Sequence, residues 1–122
     1  MIGLLIDMII LYLGAAMVAV GAVYDVIAGI GMLRLPNFYT RLHAATIGAV
    51  GGAALPLFGT GLIALVSDQL GPYRVSAAVL CFLAGIAILL SAPTGSHILG
   101  KAAYRAGASD REPCVVDMGE ER

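Results

Sequence analysis

The sequence predicts an all-α integral membrane protein with three transmembrane helices, its N-terminus outside and its C-terminus in the cytoplasm. Three observations carry this expectation. Hydrophobic residues make up 60 % of the 122 residues and charged residues only 12 %, whereas a soluble domain carries about 25 % charged residues. The mean hydropathy is +0.94. The remaining charges gather in short clusters between long apolar runs, as befits places where a chain meets water and turns back, because charge within hydrocarbon is expensive.

The first span covers 4–33 and is apolar apart from Asp7, Asp25 and two tyrosines. Roughly 20 residues cross the hydrocarbon, so this span tilts or projects. The segment before it has no basic n-region and the apolar run is too long for a signal peptide, so the helix is expected to stay in the mature protein. The second span covers 42–66 and is rich in Ala and Gly; the third covers 75–92, where Pro93 is expected to interrupt it. At bilayer depth an open strand would leave peptide groups unpaired, which makes all three helices. The length allows one domain, a three-helix transmembrane body over 1–107. The acidic residues Asp110, Glu112, Asp117, Glu120 and Glu121 mark 108–122 as a polar tail expected to be mobile.

With three spans, the loop after the first helix and the C-terminus share one side. That side holds Arg34, Arg41, Lys101, Arg105, Arg111 and Arg122, against Arg74 alone on the other. The positive-inside rule therefore puts the C-terminus in the cytoplasm of a multi-pass protein. Cys81 lies in an apolar span and Cys114 in the tail, with no CxxC spacing or His cluster, so neither a disulfide nor a metal site nor a cofactor is expected. A net charge of −1 and the lack of a basic stripe speak against nucleic acid as a partner. Ser, His and Asp are scattered without elbow or triad context and no phosphate loop is present, which speaks against an enzyme.

Helical geometry places Gly3, Asp7, Gly14, Val18, Gly21, Asp25 and Gly29 within about 40° of one meridian of the first span. Lipid gains nothing from glycine, but a neighbouring helix can approach closely along it. The second span has a like face of Ala45, Gly48, Gly52 and Gly59, with Gly48 and Gly52 in small-xxx-small spacing. Three such thin helices cannot enclose a substrate cavity. Their glycine faces are expected to pack on companion chains.

Asp25 stands nine residues before Arg34, roughly 13 Å inside the interface at 1.5 Å per residue. A carboxylate at that depth needs a partner or a proton. It either lines a hydrated proton or cation path or is a structural acid, protonated or paired with Arg34, Arg41 or a neighbouring subunit. His43, near the start of the second span, either exchanges protons near neutral pH or hydrogen-bonds Tyr39, four residues earlier. His97 carries the same alternatives at the other end of the third span. Pro56 and Pro93 each remove a helix donor and read as packing kinks. The basic cluster of Arg34, Arg41, Lys101 and Arg105 suits lipid phosphates, partner carboxylates or topology alone.

The run Gly31-Met32-Leu33-Arg34-Leu35-Pro36-Asn37-Phe38-Tyr39-Thr40-Arg41-Leu42-His43-Ala44-Ala45-Thr46 and the later Ser91-Ala92-Pro93-Thr94-Gly95-Ser96-His97 with Ala102-Ala103-Tyr104-Arg105 resemble the two motifs of a known family. It is the small G subunit of Mrp-type multisubunit cation/proton antiporters, the MnhG or PhaG family. The resemblance implies a subunit that does not transport alone. It would pack in the plasma membrane with small E-, F-, B- and C-type subunits and with large antiporter-like subunits, in an assembly that exchanges Na⁺ for H⁺. It also marks Arg34, Pro36, Tyr39, Arg41, His43, Pro93, His97 and Arg105 as motif residues at the cytoplasmic interface. Archaeal membrane-bound hydrogenases carry a similar module joined to a redox arm. Where many antiporter members have a lysine after the His-Ala-Ala-Thr run, this chain has Ile47-Gly48-Ala49-Val50, which keeps the redox-coupled version open beside a plain scaffold subunit.

Overall fold

The computed structural model describes residues 1–107; the polar tail expected over 108–122, with Cys114, lies outside the described residues. Among the described residues there are three long apolar rods, Ile2–Arg34, Phe38–Val66 and Asp68–Arg105, each with the length and composition to cross a membrane. The first is one α-helix, α1 (Ile2–Arg34). The second is built of α2 (Phe38–Ile47), a π-helical segment over Gly48–Ala54, and α3 (Leu55–Val66). The third is a 3₁₀ turn over Asp68–Tyr73 followed by α4 (Arg74–Arg105).

The turns follow from local chemistry. The residue before a proline is pushed out of the helical region, and Leu35, before Pro36, is extended with φ −74° and ψ 132°. That ends α1. Pro36 itself is not the first helical residue, since Asn37 is still extended and α2 begins at Phe38, four residues before the start expected from the apolar pattern. At the other end Gly71 has φ 52°, a left-handed conformation that glycine takes without a Cβ penalty, just before Pro72. An exposed Arg74–Asp68 pair at 3.6 Å completes this loop; such pairs contribute little, about 0–1 kcal/mol.

Pro93 does not interrupt the third span. Helix α4 continues through it to Arg105, because a membrane helix tolerates a proline where neighbouring groups re-satisfy the backbone. The Thr94 hydroxyl donates to the Leu90 carbonyl at 2.9 Å and the Ser91 hydroxyl to that of Ile88 at 3.4 Å, on either side of the Leu89 carbonyl that Pro93 leaves without its donor.

The second span lies in the middle, packed on α1 along one side and on α4 along the other, while α1 and α4 scarcely touch. The arrangement is a layer of three rods rather than a closed bundle. Every buried residue among those described is Gly or Ala. Along α1 they are Gly14, Gly21 and Ala28, a seven-residue spacing that keeps one seam facing the neighbouring rod. A Cβ built on Gly14 would stand 2.7 Å from the Gly59 carbonyl oxygen, and one on Gly59 would stand 2.6 Å from that of Gly14, so the two backbones touch reciprocally. Between the second and third spans the roles are reversed, with aromatic rings laid on glycines: Phe58 on Gly85 and Phe82 on Gly61, the rings 5.9 Å apart. Cys81 is a free, half-buried thiol beside Gly61.

The glycine faces of the first two spans are therefore occupied from within the chain rather than by companions. The large apolar side chains, among them Ile9, Val23, Leu80, Leu83 and Leu90, are the groups left outward. Gly3 and Gly29 depart from the stripe, with open space beside each.

Enlarging Gly59 separates these positions. Gly59→Leu should remove most of the subunit from blots of membranes, because overpacking at a backbone contact costs at least about 1–3 kcal/mol. Gly3→Leu, with nothing within 4 Å of its Cβ, should leave the level unchanged. Equal levels of the two variants would contradict the packing described.

Candidate ion-path site and the end that joins two motifs

Asp25 meets the second span at its irregular segment. A methyl on Gly52 would fall on the Asp25 carboxylate, and one on Gly48 would lie 3.9 Å from Asp25 Oδ1. The depths agree. Counting from Arg41 at 1.5 Å per residue, Gly48 and Gly52 lie roughly 10 and 16 Å along their rod, bracketing the roughly 13 Å of Asp25 along its own. Tyr24 beside it lays its ring on Gly51, whose Cβ position is 2.8 Å from Tyr24 Cγ. Among the described residues Asp25 makes no ion pair or hydrogen bond, so neither Arg34 nor Arg41 neutralises it. Its outer side is exposed.

The π segment has a local cause. Pro56, in the first turn of α3, cannot donate to the backbone, and in a regular α-helix its ring would collide with the carbonyl four residues earlier, that of Gly52. Widening the turn over Gly48–Ala54 removes that collision, and π segments recur at functional sites. The Pro56 ring is accommodated by the first span because position 21 is glycine; a Cβ there would strike it. Pro56 is thus the origin of a π segment rather than a simple packing kink. Three glycines, Gly48, Gly51 and Gly52, just ahead of a proline were the available signal in the sequence.

The second cluster gathers the two motifs at one end of the layer. Thr46 and Ser96 share a half-buried hydroxyl–hydroxyl hydrogen bond of 2.6 Å across 50 residues of sequence, and Thr46 also donates to the Leu42 carbonyl at 2.9 Å. The Tyr39 hydroxyl donates to the Gly100 carbonyl at 3.5 Å, so it is engaged with the third span and not with His43. Arg41 Nε donates to the Leu35 carbonyl at 2.6 Å and ties the turn around Pro36. Arg34 and Arg105 stand in the last turns of α1 and α4, where a cation suits the negative end of the helix dipole. His43, Pro93 and His97 are exposed. The structure brings Asp25 together with Gly48 and Gly52, but no hydrogen bond or ion pair links Asp25 to His43. Thr46 and Ser96 stand within the two motif runs, but the sequence pattern gave no sign that they touch, and it did not single out Tyr24.

A family model described as "Na+/H+ antiporter subunit", PhaG_MnhG_YufB, matches residues 17–104. The chain belongs to this family. Na(+)/H(+) antiporter subunit G1 of Staphylococcus aureus, in strains JH9 and Newman among others, is 34 % identical over 113 residues, covering 93 % of this chain and 91 % of the relative. The stretch matched by the family model contains the first motif, the π segment, Asp25 and the second motif as far as Tyr104. This PhaG/MnhG-family chain is thus a multi-pass plasma-membrane protein, and its relatives are named as transporter subunits rather than enzymes.

The motif contact is directly testable in this antiporter-subunit homologue. With Cys81 and Cys114 replaced by serine, the pair Thr46→Cys and Ser96→Cys should form a disulfide in membranes under mild oxidation, visible as a shift on non-reducing gels. Thr46→Cys with Ser91→Cys should not. Absence of the first crosslink would separate the second and third spans at this end.

Proposed function

We propose that the chain is an accessory membrane subunit of a multisubunit Na⁺/H⁺ antiporter. In this reading its N-terminus is outside and its C-terminus cytoplasmic, and the three-span body over 1–107 is the working unit. The outer spans seat against other small subunits and against large antiporter-like subunits, and Asp25 borders a hydrated ion path. His43 is a second candidate for that path, nearer its cytoplasmic mouth. Gly14, Gly21, Gly48 and Gly52 hold the first two spans close enough to set Asp25 in place.

The observation that carries the reading is an exposed carboxylate roughly 13 Å deep with no cation paired to it among the described residues. An Asp at the helix centre costs about 2.5–3.5 kcal/mol on insertion scales, and such residues face bundle interiors or water-filled paths. The outward side of α1 therefore meets protein and water rather than lipid alone. Burial of Gly and Ala alone among the described residues is the build of a part that finishes its packing against others.

Replacing Asp25 by Asn in the assembled complex and measuring Na⁺-driven proton exchange in vesicles tests this. Exchange should fall at least tenfold while the complex still assembles; unchanged exchange with normal assembly would remove Asp25 from the path. Cysteines at Arg34 and Lys101 should react with an impermeant reagent from the cytoplasmic side, and one at Leu70 from the opposite side. Reactivity of positions 34 and 101 on opposite faces would contradict the topology. The redox-coupled reading is favoured instead if the purified complex contains an iron–sulfur or nickel–iron companion.

A further inference from the structure

Helix α1 buries Gly14, Gly21 and Ala28 in its seam with the second span. Successive helical residues are about 100° apart, so the residues just before and just after these three flank the seam on opposite broad surfaces of the layer. The preceding ones, Leu13, Val20 and Ile27, are large and exposed. The following ones, Ala15, Ala22 and Gly29, are small and also exposed, and nothing lies within 4 Å of a Cβ built on Gly29. Asp25 shares this smooth surface, one turn from Ala22 and from Gly29, whereas Tyr24 leans the other way, onto Gly51. The second span continues it: Gly51 lies under Tyr24 and Gly52 under Asp25, so Ala53, the next residue around, and Ala49, four residues before that, extend the surface on the side of the acid. One broad surface of these two rods is thus bulky, and the other is smooth with a carboxylate set in it.

Small residues let a neighbouring backbone come close, an approach that lipid does not reward, and an acid at this depth faces protein or water rather than hydrocarbon. A helix lying against Ala22 and Gly29 would remove water from one side of Asp25. A carboxylate desolvated without a cation is costly, and among the described residues no cation pairs with it. A second copy of this chain does not supply one at that depth, because Arg34, Arg41, Lys101 and Arg105 stand at one end of the rods, Arg74 stands at the other, and 42–73 holds no Lys or Arg. We propose that the smooth surface seats a transmembrane helix of a companion chain, which brings a lysine or arginine to Asp25, while the bulky surface meets lipid. The inference rests on the reading of this chain as one subunit of a larger assembly and holds whether or not ions pass Asp25.

Purifying the complex through a tag on a large companion subunit, and blotting for this chain in both the membranes and the eluate, separates seating from folding. Gly29→Leu meets open space within its own chain, so it should keep its level in membranes yet fall at least fivefold in the eluate. Ile27→Phe, on the bulky surface, should be retained at the wild-type level. Asp25→Asn keeps an acceptor for the companion's donor and should still assemble. Asp25→Lys sets like charges together and should be lost from the eluate, and restoring it should take exchange of a basic residue for an acidic one in a membrane helix of a companion. Should Asp25→Lys be missing from the membranes themselves, Asp25→Val, which removes the acceptor, should fall in the eluate in the same way and be restored by an apolar residue in place of that basic one. Retention of Gly29→Leu or Asp25→Lys at the wild-type level, equal loss of Ile27→Phe, or suppressors confined to this chain would overturn the seat. Absence of the wild-type chain from the eluate would overturn the subunit reading and the seat together.

Discussion

Backbone-to-backbone contact through glycine is the constraint on which this structure depends. Lipid tails are as apolar as leucine, so helices in a bilayer gain little from hiding large hydrophobic side chains from one another; close van der Waals approach and a few interhelical hydrogen bonds hold them instead. The reciprocal contact of Gly14 and Gly59 and the seating of Gly21 on Pro56 are of this kind. A side chain at any of these positions would push the rods apart. The consequence is an inverted distribution of bulk, with Gly and Ala inside and Ile, Leu and Val outside, and a layer of three rods whose two broad surfaces remain available.

The same constraint places the chemistry. Because Gly52 lacks a Cβ, the Asp25 carboxylate can lie on the second span, and because Gly21 lacks one, Pro56 can stand at the first turn of α3 against the first span. Pro56 forces the π segment, and the π segment sits at the depth of the acid. Packing, backbone irregularity and an intramembrane charge are therefore three aspects of one contact. At the opposite pole of function, the hydroxyl pair of Thr46 and Ser96 and the Tyr39–Gly100 bond fasten the basic end, so that the two stretches that mark the family form one structural unit.

Much of this was legible in the sequence. Three apolar runs separated by Arg34–Arg41 and Asp68–Arg74 fixed the number of rods, and the motifs fixed the family, because hydropathy and short polar signatures are local. Partners across the layer were not legible. Small-residue spacing told which faces approach something, yet could not tell that α1 and the second span approach each other. Nor does periodicity distinguish an α-helix from a π segment of seven residues, as Gly48–Ala54 shows, since both present an unbroken apolar run. Pro93 misled for a related reason: a proline signals a break in water, but Ser91 and Thr94 bond the backbone around it and α4 continues.

An electron cryo-microscopy map of the assembled complex in a lipid nanodisc would test the central claim most directly. The account predicts a widened turn at Gly48–Ala54 with the Asp25 side chain lying on Gly52 and its outer side facing water or a companion chain. A regular α-helix through that stretch, with Asp25 turned away from the second span, would contradict it.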